Sequence, residues 1–466
     1  VSGLRDPLPE HDHIAVLGLG VSGKAACQLL AEFGKTVRAT DSREDINTSG
    51  LPDHIEIALG TNDTAGATAA VLSPGLNPNW PENAENPALS DLWERARRGE
   101  LELLSELDVA ARAFRGKKIA IGGTDGKSTT AAFTKHLLDT LGVDALLGGN
   151  SWTALSEAVL ENSSADVAVI EASAFQLWDG HRFAPDVSVL TNIALDHLDH
   201  FATFDDYVAA KGQLLTHADE QTTVALHAND ERLMSFVPEL TESGVNVCTF
   251  GEQGDVDVSA DHLHWKIKNG ETRRVDLREF KLPGLHNRRN VAAAWIAVDA
   301  VSGEYDAVEV DRALADAVTS FRGLPHRIEF VAENDGIRFY NDSKATNVHS
   351  ACVAYRAMER PFVAIVGGVD KQLDLAPLID ILAQRATHVV TIGELRDRFR
   401  SEGKTLSAKL SEAESLRDAL HMAVDRADSG IDIVFSPACS SFDMFRSFEH
   451  RGEVFVDLVR EFTEEQ

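Results

Sequence analysis

The chain has 466 residues, 44% of them hydrophobic, which is enough for about three domains with a core in each. Forty-four Lys and Arg against 74 Asp and Glu leave a formal net charge of −30, which disfavours binding to nucleic acid or an anionic membrane. Cys27, Cys248, Cys352 and Cys439 form no C-x-x-C pair, so neither a zinc ribbon nor a disulfide framework is indicated.

Such acidity fits a well-solvated surface or adaptation to salt, and an anionic ligand must find a local basic site. With no apolar leader and no run of about 18 apolar residues, a cytoplasmic protein is expected.

Apolar β-branched runs alternate with helical patterns throughout, the sequence form of an α/β protein with parallel sheets. A first block has expected strands at 13–17, 37–40 and 69–72 and a helix over 22–33. A second has strands at 118–122, 167–171 and 187–191, a helix after Lys127, another over 204–217 and a third over 290–301. A proline-containing break near Phe321-Arg-Gly-Leu-Pro-His opens a third block. There 327–331 and 337–341 read as a hairpin around Glu333-Asn-Asp-Gly, followed by strands at 362–366, 388–392 and 433–436 and a final helix. The expected domains are 1–105, 106–323 and 324–466.

Residues 118–130 read KIAIGGTDGKSTT, a strand followed by a glycine-rich turn and Gly126-Lys127-Ser128 at the start of a helix. Such a turn converges backbone N–H groups on phosphate oxygens at a helix N-terminus. Lys127 would reach the outer phosphates of ATP and Ser128 would meet Mg²⁺. The loop is shorter than G-x-x-x-x-G-K-[ST], since Ile121 stands where the first glycine belongs, and Asp125 puts a carboxylate inside the cradle. An ordinary capped turn is the competing reading.

Gly18-Leu-Gly20-Val-Ser-Gly23 follows a strand and precedes a helix, and Asp41 ends the next strand, which is a dinucleotide fingerprint in context. Alone it points to a dehydrogenase, but nothing downstream supplies a hydride-transfer site, and the same physics serves any nucleotide diphosphate, including a UDP-sugar. Ser73-Pro-Gly75 ends a further strand and is either a second close backbone approach or a plain turn. Glu171, at the end of an apolar strand, is suited equally to Mg²⁺ or to capping a helix. Asn192-x-x-x-Asp196-His197-x-Asp199-His200 groups acids and histidines without a cysteine, which suits Mg²⁺ at a phosphate site better than zinc. Lys211 follows on a helix and reads equally as a solvated lysine.

In order, Gly123-Thr-x-Gly-Lys-Ser-Thr, Glu171-x-Ser-x-Phe-Gln-Leu, Asn192 with Asp196-His197-Leu-Asp199, Lys211 and Leu285-His-Asn287-x-x-Asn290 resemble the central domain of the Mur ligases. Folylpolyglutamate synthases share part of the pattern. Asn341-Asp-Ser-Lys344-Ala-Thr346-Asn and Ser436-Pro-Ala-Cys-Ser-Ser441-Phe442-Asp-x-Phe-x-x-Phe448-x-x-Arg-Gly extend the resemblance to the third block. Gly18-Leu-Gly20 and Ser73-Pro-Gly75 extend it to the first.

The resemblance implies a Rossmann-like first domain, a P-loop-type central ATPase domain and a Rossmann-like third domain. It implies an amide-forming ligase in which ATP activates the carboxylate of UDP-N-acetylmuramoyl-L-alanine as an acyl phosphate for attack by D-glutamate. Another Mur-type ligase, using L-glutamate or a different amino acid, is the alternative. A monomer is expected. By the same resemblance Gly20, Val21, Ser22, Asp41, Ser42, Gly75, Asn150 and His197 would hold the UDP-substrate. Gly123, Thr124, Asp125, Gly126, Lys127, Ser128, Thr129, Asn287, Asn290, Arg327 and Asp342 would surround ATP. Thr346, Lys371, Ser441, Phe442 and Phe448 would hold the amino acid, with Lys127, His197, Lys211 and Lys344 as catalytic groups. Two Mg²⁺ sites are implied, from Ser128 and Glu171 and from His197 and Lys211, with Lys211 carrying a carbamate from CO₂. Two departures stand out: Asp125 replaces the family's usual Asn, and Gly367-Gly-Val-Asp-Lys371 is only similar to its Gly-Gly-x-x-Lys turn.

Overall fold

The computed structural model describes residues 3–77, 80, 83, 86, 89–178, 182–196, 200–266, 271–303, 305–370 and 374–464. The chain forms two compact units, Val1–Leu277 with Arg288–Ala317, and Arg278–Asn287 with Val318–Gln466.

The first unit begins with β1 (His13–Leu17), β2 (Thr36–Asp41), β3 (Glu56–Leu59), β4 (Ala69–Leu72) and β5 (Glu102–Ser105), in the order β3-β2-β1-β4-β5. All four pairings are parallel. A parallel strand covered on both faces must be apolar along its length, and Ile14, Ala15, Val16 and Leu17 are all buried. Helix α1 (Val21–Glu32) crosses from β1 to β2, and α2 (Glu106–Ala113) leaves β5 through a Ser105–Asp108 capping box. The strand order reverses between β1 and β4, so the glycine loop after β1 and the Ser73-Pro74-Gly75 turn after β4 face one crevice.

A second sheet follows from β6 (Lys117–Gly122), β7 (Ala145–Gly149), β8 (Val167–Glu171), β9 (Val187–Leu190), β10 (Thr223–His227), β11 (Asn246–Gly251), β12 (Val256–Val258), β13 (His262–Lys266) and β14 (Thr272–Asp276). Its order is β14-β13-β12-β11-β10-β9-β6-β8-β7, parallel from β7 to β12 and antiparallel beyond. Helices α3 (Lys127–Leu141), α4 (Leu155–Glu161), α5 (Phe204–Gly212) and α6 (Leu285–Val301) belong to this stretch of chain. One apolar core runs through both sheets of the unit, joining Leu29 and Leu30 of α1, Leu107 and Ala110 of α2, and Leu155 and Val159 of α4.

The second unit carries β15 (Glu329–Asn334), β16 (Ile337–Asn341), β17 (Phe362–Gly367), β18 (Ala386–Ile392), β19 (Leu410–Glu412) and β20 (Asp432–Phe435), ordered β15-β16-β20-β17-β18-β19, and ends in α7 (Phe448–Glu464). The expected hairpin is present. Asn334 pairs with Ile337, and Asp335 and Gly336 between them have φ of 50° and 78°, the signs a type I′ turn requires. Its first strand starts at Glu329 rather than 327, because His326 and Ile328 also lie at positive φ, 63° and 44°, and cannot extend a strand.

The expected helix over 204–217 stops at Gly212 and tightens into a 3₁₀ turn, Gln213–Leu215. Among the described residues no helix is long and apolar enough to cross a membrane.

Candidate active site

β6 runs between β8 and β9, and its chain leaves the sheet at Gly122 to form the loop Gly123–Gly126 before α3 begins at Lys127. Both loop glycines are sterically required. A Cβ on Gly123 would lie 2.0 Å from Thr191 Oγ1, and one on Gly126, at φ +82°, would lie 2.7 Å from Asn290 Oδ1. Asn192, just past β9, braces the loop: its Oδ1 accepts from Asp125 N–H at 3.0 Å, and its Nδ2 donates to Asp125 C=O at 2.9 Å. Thr191 Oγ1 donates to the same carbonyl at 2.6 Å.

Asp125 therefore serves the loop through its backbone while its carboxylate is exposed. Lys127 Nζ donates to Thr124 C=O at 2.6 Å, and the Thr124 hydroxyl lies 3.2 Å from Tyr207 OH. Ser128 is buried, and Thr129 is half-buried beside it.

Lys211, near the end of α5, is buried, with Nζ donating to Gly123 C=O at 2.6 Å and lying 4.9 Å over the Tyr207 ring. Burial and the neighbouring Lys127 push its pKa down from 10.5 to about 7, against the attraction of Asp196, Asp125 and Glu171. Glu171, the last residue of β8, is fully buried; its Oε1 accepts from Asn150 Nδ2 at 3.0 Å and Ser151 Oγ at 2.8 Å, and its Oε2 from Trp152 Nε1 at 3.0 Å. Among the described residues no group of three or more His, Cys, Asp or Glu is arranged around a metal. His197, Asp199 and Lys371 lie outside the described residues. His200 stacks on Trp80, with ring centroids 5.0 Å apart, so this member of the acid and histidine run has a packing role.

At the crevice of the first sheet, the glycines divide their tasks. A Cβ on Gly18 would meet Ser73 Oγ at 2.6 Å and one on Gly23 would meet Gly18 C=O at 1.9 Å, whereas at Gly20 and Gly75 nothing lies within 4 Å. The latter two leave bare backbone open for a ligand. Val21, Ser42 and Gly20 are exposed and Ser22 is half-buried. Asp41 is a brace: it accepts from Leu19 N–H at 2.8 Å and from the backbone N–H, Nε and Nη2 of Arg43. Those bonds to Arg43 hold its pKa well below the usual carboxylate range. Arg43 is a cation at this crevice that motif reading passed over, although it sits two residues beyond Asp41.

In the second unit Asp342, past β16, is buried, with Oδ2 accepting from Ser436 Oγ at 2.6 Å and Oδ1 from Ile328 N–H at 3.2 Å. Burial raises its pKa to about 7, opposed by these bonds and by the charges of Arg327 and Arg451. The bond to Ile328 secures the strained turn that presents the exposed Arg327 between two left-handed residues. Asn287 Nδ2 donates to Pro283 C=O at 2.7 Å at the start of α6.

Lys344 is exposed, Thr346 half-buried, Ser441 buried and Phe442 strongly exposed. Phe448 opens α7, its carbonyl accepting from Ser343 Oγ at 2.8 Å. Arg451, buried on α7, ties the motifs together: Nη2 and Nε donate to the carbonyl and hydroxyl of Ser343, and Nη1 donates to Cys439 C=O. Arg451 stands in the Phe448-x-x-Arg-Gly motif, but its contacts appear only once β16 and β20 lie side by side.

A glycine-rich loop after β6, a buried carboxylate at the end of β8 and, from α5, a buried lysine with a lowered pKa form an arrangement suited to phosphoryl transfer. The chain matches the Mur ligase middle domain over residues 121–298 and the Mur ligase, glutamate ligase domain over 326–439. A curated relative from Aquifex aeolicus, named UDP-N-acetylmuramoylalanine--D-glutamate ligase, is 33% identical over 95% of this chain and 97% of its own. A relative of the same name from Chromobacterium violaceum is 34% identical over 96% and 97%. Among solved structures, UDP-N-acetylmuramate-alanine ligase MurC of Thermotoga maritima aligns with a TM-score of 0.53 at 19% identity, covering 97% of this chain and 99% of its own. MurF ligase of the same organism, in complex with ADP, aligns with a TM-score of 0.52 at 17% identity, covering 86% and 90%.

Proposed function

The chain belongs to the Mur ligase family, and on that premise we propose that it joins D-glutamate to UDP-N-acetylmuramoyl-L-alanine at the expense of ATP, a step of peptidoglycan precursor synthesis. The observation that carries the reading is the phosphate loop with Lys211 Nζ seated on Gly123 C=O beside it. A free carboxylate is a poor electrophile. Transfer of the γ-phosphoryl group of ATP to the alanyl carboxylate gives an acyl phosphate and ADP. The D-glutamate amine then attacks the acyl carbon, phosphate leaves, and the amide forms as the amine loses its proton. The chain's part is to hold the groups in line and to balance charge.

Lys127 and the loop N–H groups bind the phosphates. Asn290 abuts Gly126 and fixes that approach, while Asn287, Arg327 and Asp342 are assigned to the nucleoside. Gly20, Val21, Ser22, Asp41, Ser42, Gly75 and Asn150 are assigned to the UDP-substrate, with Arg43 added as a cation. Thr346, Ser441, Phe442, Phe448 and Lys344 are assigned to the amino acid and the reacting phosphate; Lys371 and His197 keep their assigned roles on the sequence motif alone.

The donor set fits Mg²⁺: Ser128 supplies a hydroxyl, and Glu171 keeps one acceptor position on Oε2 after its three hydrogen bonds. Bound there, Mg²⁺ neutralises phosphate charge. A pKa near 7 leaves much of Lys211 as the free amine that CO₂ requires, which supports the carbamate. The four cysteines, all buried and outside any disulfide, suit the proposed cytoplasmic location, and the enzyme is assigned as a monomer.

Phosphate release should require ATP, UDP-N-acetylmuramoyl-L-alanine and D-glutamate together, with little release when L-glutamate or no amino acid is supplied. Equal turnover with L-glutamate would move the chain to a related ligase, and binding of NAD without UDP-sugar binding would overturn the ligase reading.

A further inference from the structure

The turn after β7 folds back over the end of β8. Asn150 N–H donates to Glu171 C=O at 2.9 Å, Trp152 N–H to Gly149 C=O at 3.0 Å, and Gly149 N–H to Thr153 C=O at 2.9 Å. A Cβ on Gly149, at φ +105°, would lie 2.3 Å from Glu171 C=O, so only glycine allows this approach. The turn thereby delivers three consecutive side chains to one carboxylate: Asn150 and Ser151 to Oε1, and Trp152 to Oε2.

An ionised carboxylate has about four acceptor positions. Both on Oε1 are used, and one on Oε2. The Ser151 hydroxyl and the Trp152 indole donate to opposite oxygens, so the carboxylate cannot rotate about its last torsion without breaking at least one bond. Glu171 is fully buried, and its charge is felt at Lys211, whose Nζ donates to Gly123 C=O.

We propose that Ser151 and Trp152 are positioning residues that leave Glu171 a single acceptor position, on Oε2, and so make it a one-oxygen ligand that selects Mg²⁺ or Mn²⁺ over Ca²⁺. The inference rests on Glu171 being a metal ligand, as proposed above. Its selectivity follows from ion size. Mg²⁺ takes six oxygens in a tight octahedron and keeps several waters, whereas Ca²⁺ favours six to eight, often with both oxygens of one carboxylate. A carboxylate whose Oε1 is already occupied serves the first and resists the second.

The test is Mn²⁺ titrated into the ADP-bound protein, with free Mn²⁺ read by electron paramagnetic resonance and Ca²⁺ added as competitor. Ser151→Ala and Trp152→Phe should each weaken Mn²⁺ by about 10-fold and let Ca²⁺ compete better relative to wild type. Ser151→Thr, which keeps the hydroxyl, should restore both. In turnover the Mg²⁺ concentration for half-maximal rate should rise while kcat at saturating Mg²⁺ stays near wild type. Ser151→Ala carries the test alone if Trp152→Phe does not fold.

Glu171→Gln separates the two failures. If it loses Mn²⁺ while Ser151→Ala and Trp152→Phe bind Mn²⁺ and reject Ca²⁺ as wild type does, the positioning role is overturned and the ligand role stands. If Glu171→Gln binds Mn²⁺ unchanged, the ligand role fails and the inference falls with it.

Discussion

Glu106 offers a stability test that is independent of catalysis. It is the first residue of α2, fully enclosed, with Oε1 accepting from Ser156 N–H at 2.5 Å and Oε2 without a hydrogen-bond partner. Burial raises its pKa from 4.5 to about 7, offset in part by the bonds to Ser156. Between those values the folded protein holds a proton that the unfolded chain has released, so unfolding free energy falls as pH rises through this window. The shift corresponds to about 3 kcal/mol of stability, fully present below pH 4.5 and lost above pH 7. Glu106→Gln keeps an acceptor for Ser156 N–H and removes the titration. The difference in stability between variant and wild type should therefore move in the variant's favour by about 3 kcal/mol from pH 4.5 to 8. Urea unfolding followed by tryptophan fluorescence reads it, since Trp178 lines the same small cavity as Glu106. Parallel pH profiles for the two proteins would refute the reasoning.

Lys211→Ala should lower kcat by about 100- to 1000-fold, with partial recovery on adding a short-chain carboxylic acid; an unimpaired variant would remove the carbamate. Asp125→Asn should stay within a few-fold of wild type, since only the backbone of Asp125 serves the loop, and a thousandfold loss would give the carboxylate a role of its own. Arg273 lies over the Trp265 and Trp295 rings and pairs with Asp299 and Asp311. Its replacement by Ala should cost about 3–5 kcal/mol by leaving two carboxylates facing each other, as measured by urea unfolding. Arg451→Lys should destabilise the second unit and raise the KM for D-glutamate more than it changes kcat, because one ammonium cannot replace three directed donors. Steady-state kinetics with varied D-glutamate would check it.

The strands that position the site were legible because parallel, doubly covered strands must be apolar throughout: β1, β4 and β8 match the expected ranges to the residue. The glycine loops and the Asp335-Gly336 turn were legible because few residues adopt their backbone angles. The β12–β14 extension was not, since three short strands whose alternate residues are polar and half-buried or exposed carry little apolar signal. The partners of Glu171 escaped for another reason. Asn150, Ser151 and Trp152 resemble any polar turn until β7 and β8 pair and bring them to a residue some twenty positions away. Ser156 and Arg451 likewise acquire their contacts from strands and helices that meet only in the folded chain.

Charge explains why Lys211 stands where it does. Its ammonium, buried and facing Lys127, is disfavoured by both desolvation and repulsion, and the nearby Asp125, Asp196 and Glu171 only partly compensate. As a cation it would also repel a divalent ion. Loss of the proton removes that repulsion but leaves a neutral amine, still a poor partner for a hard metal. Addition of CO₂ at Nζ, with release of the amine proton, converts the same side chain into an anion with two oxygens. The depressed pKa and the proposed metal role thus have one origin: burying a lysine beside Lys127 leaves the cation no advantage over the free amine near pH 7, so added bicarbonate should activate the enzyme most where Lys211 is deprotonated, above about pH 7.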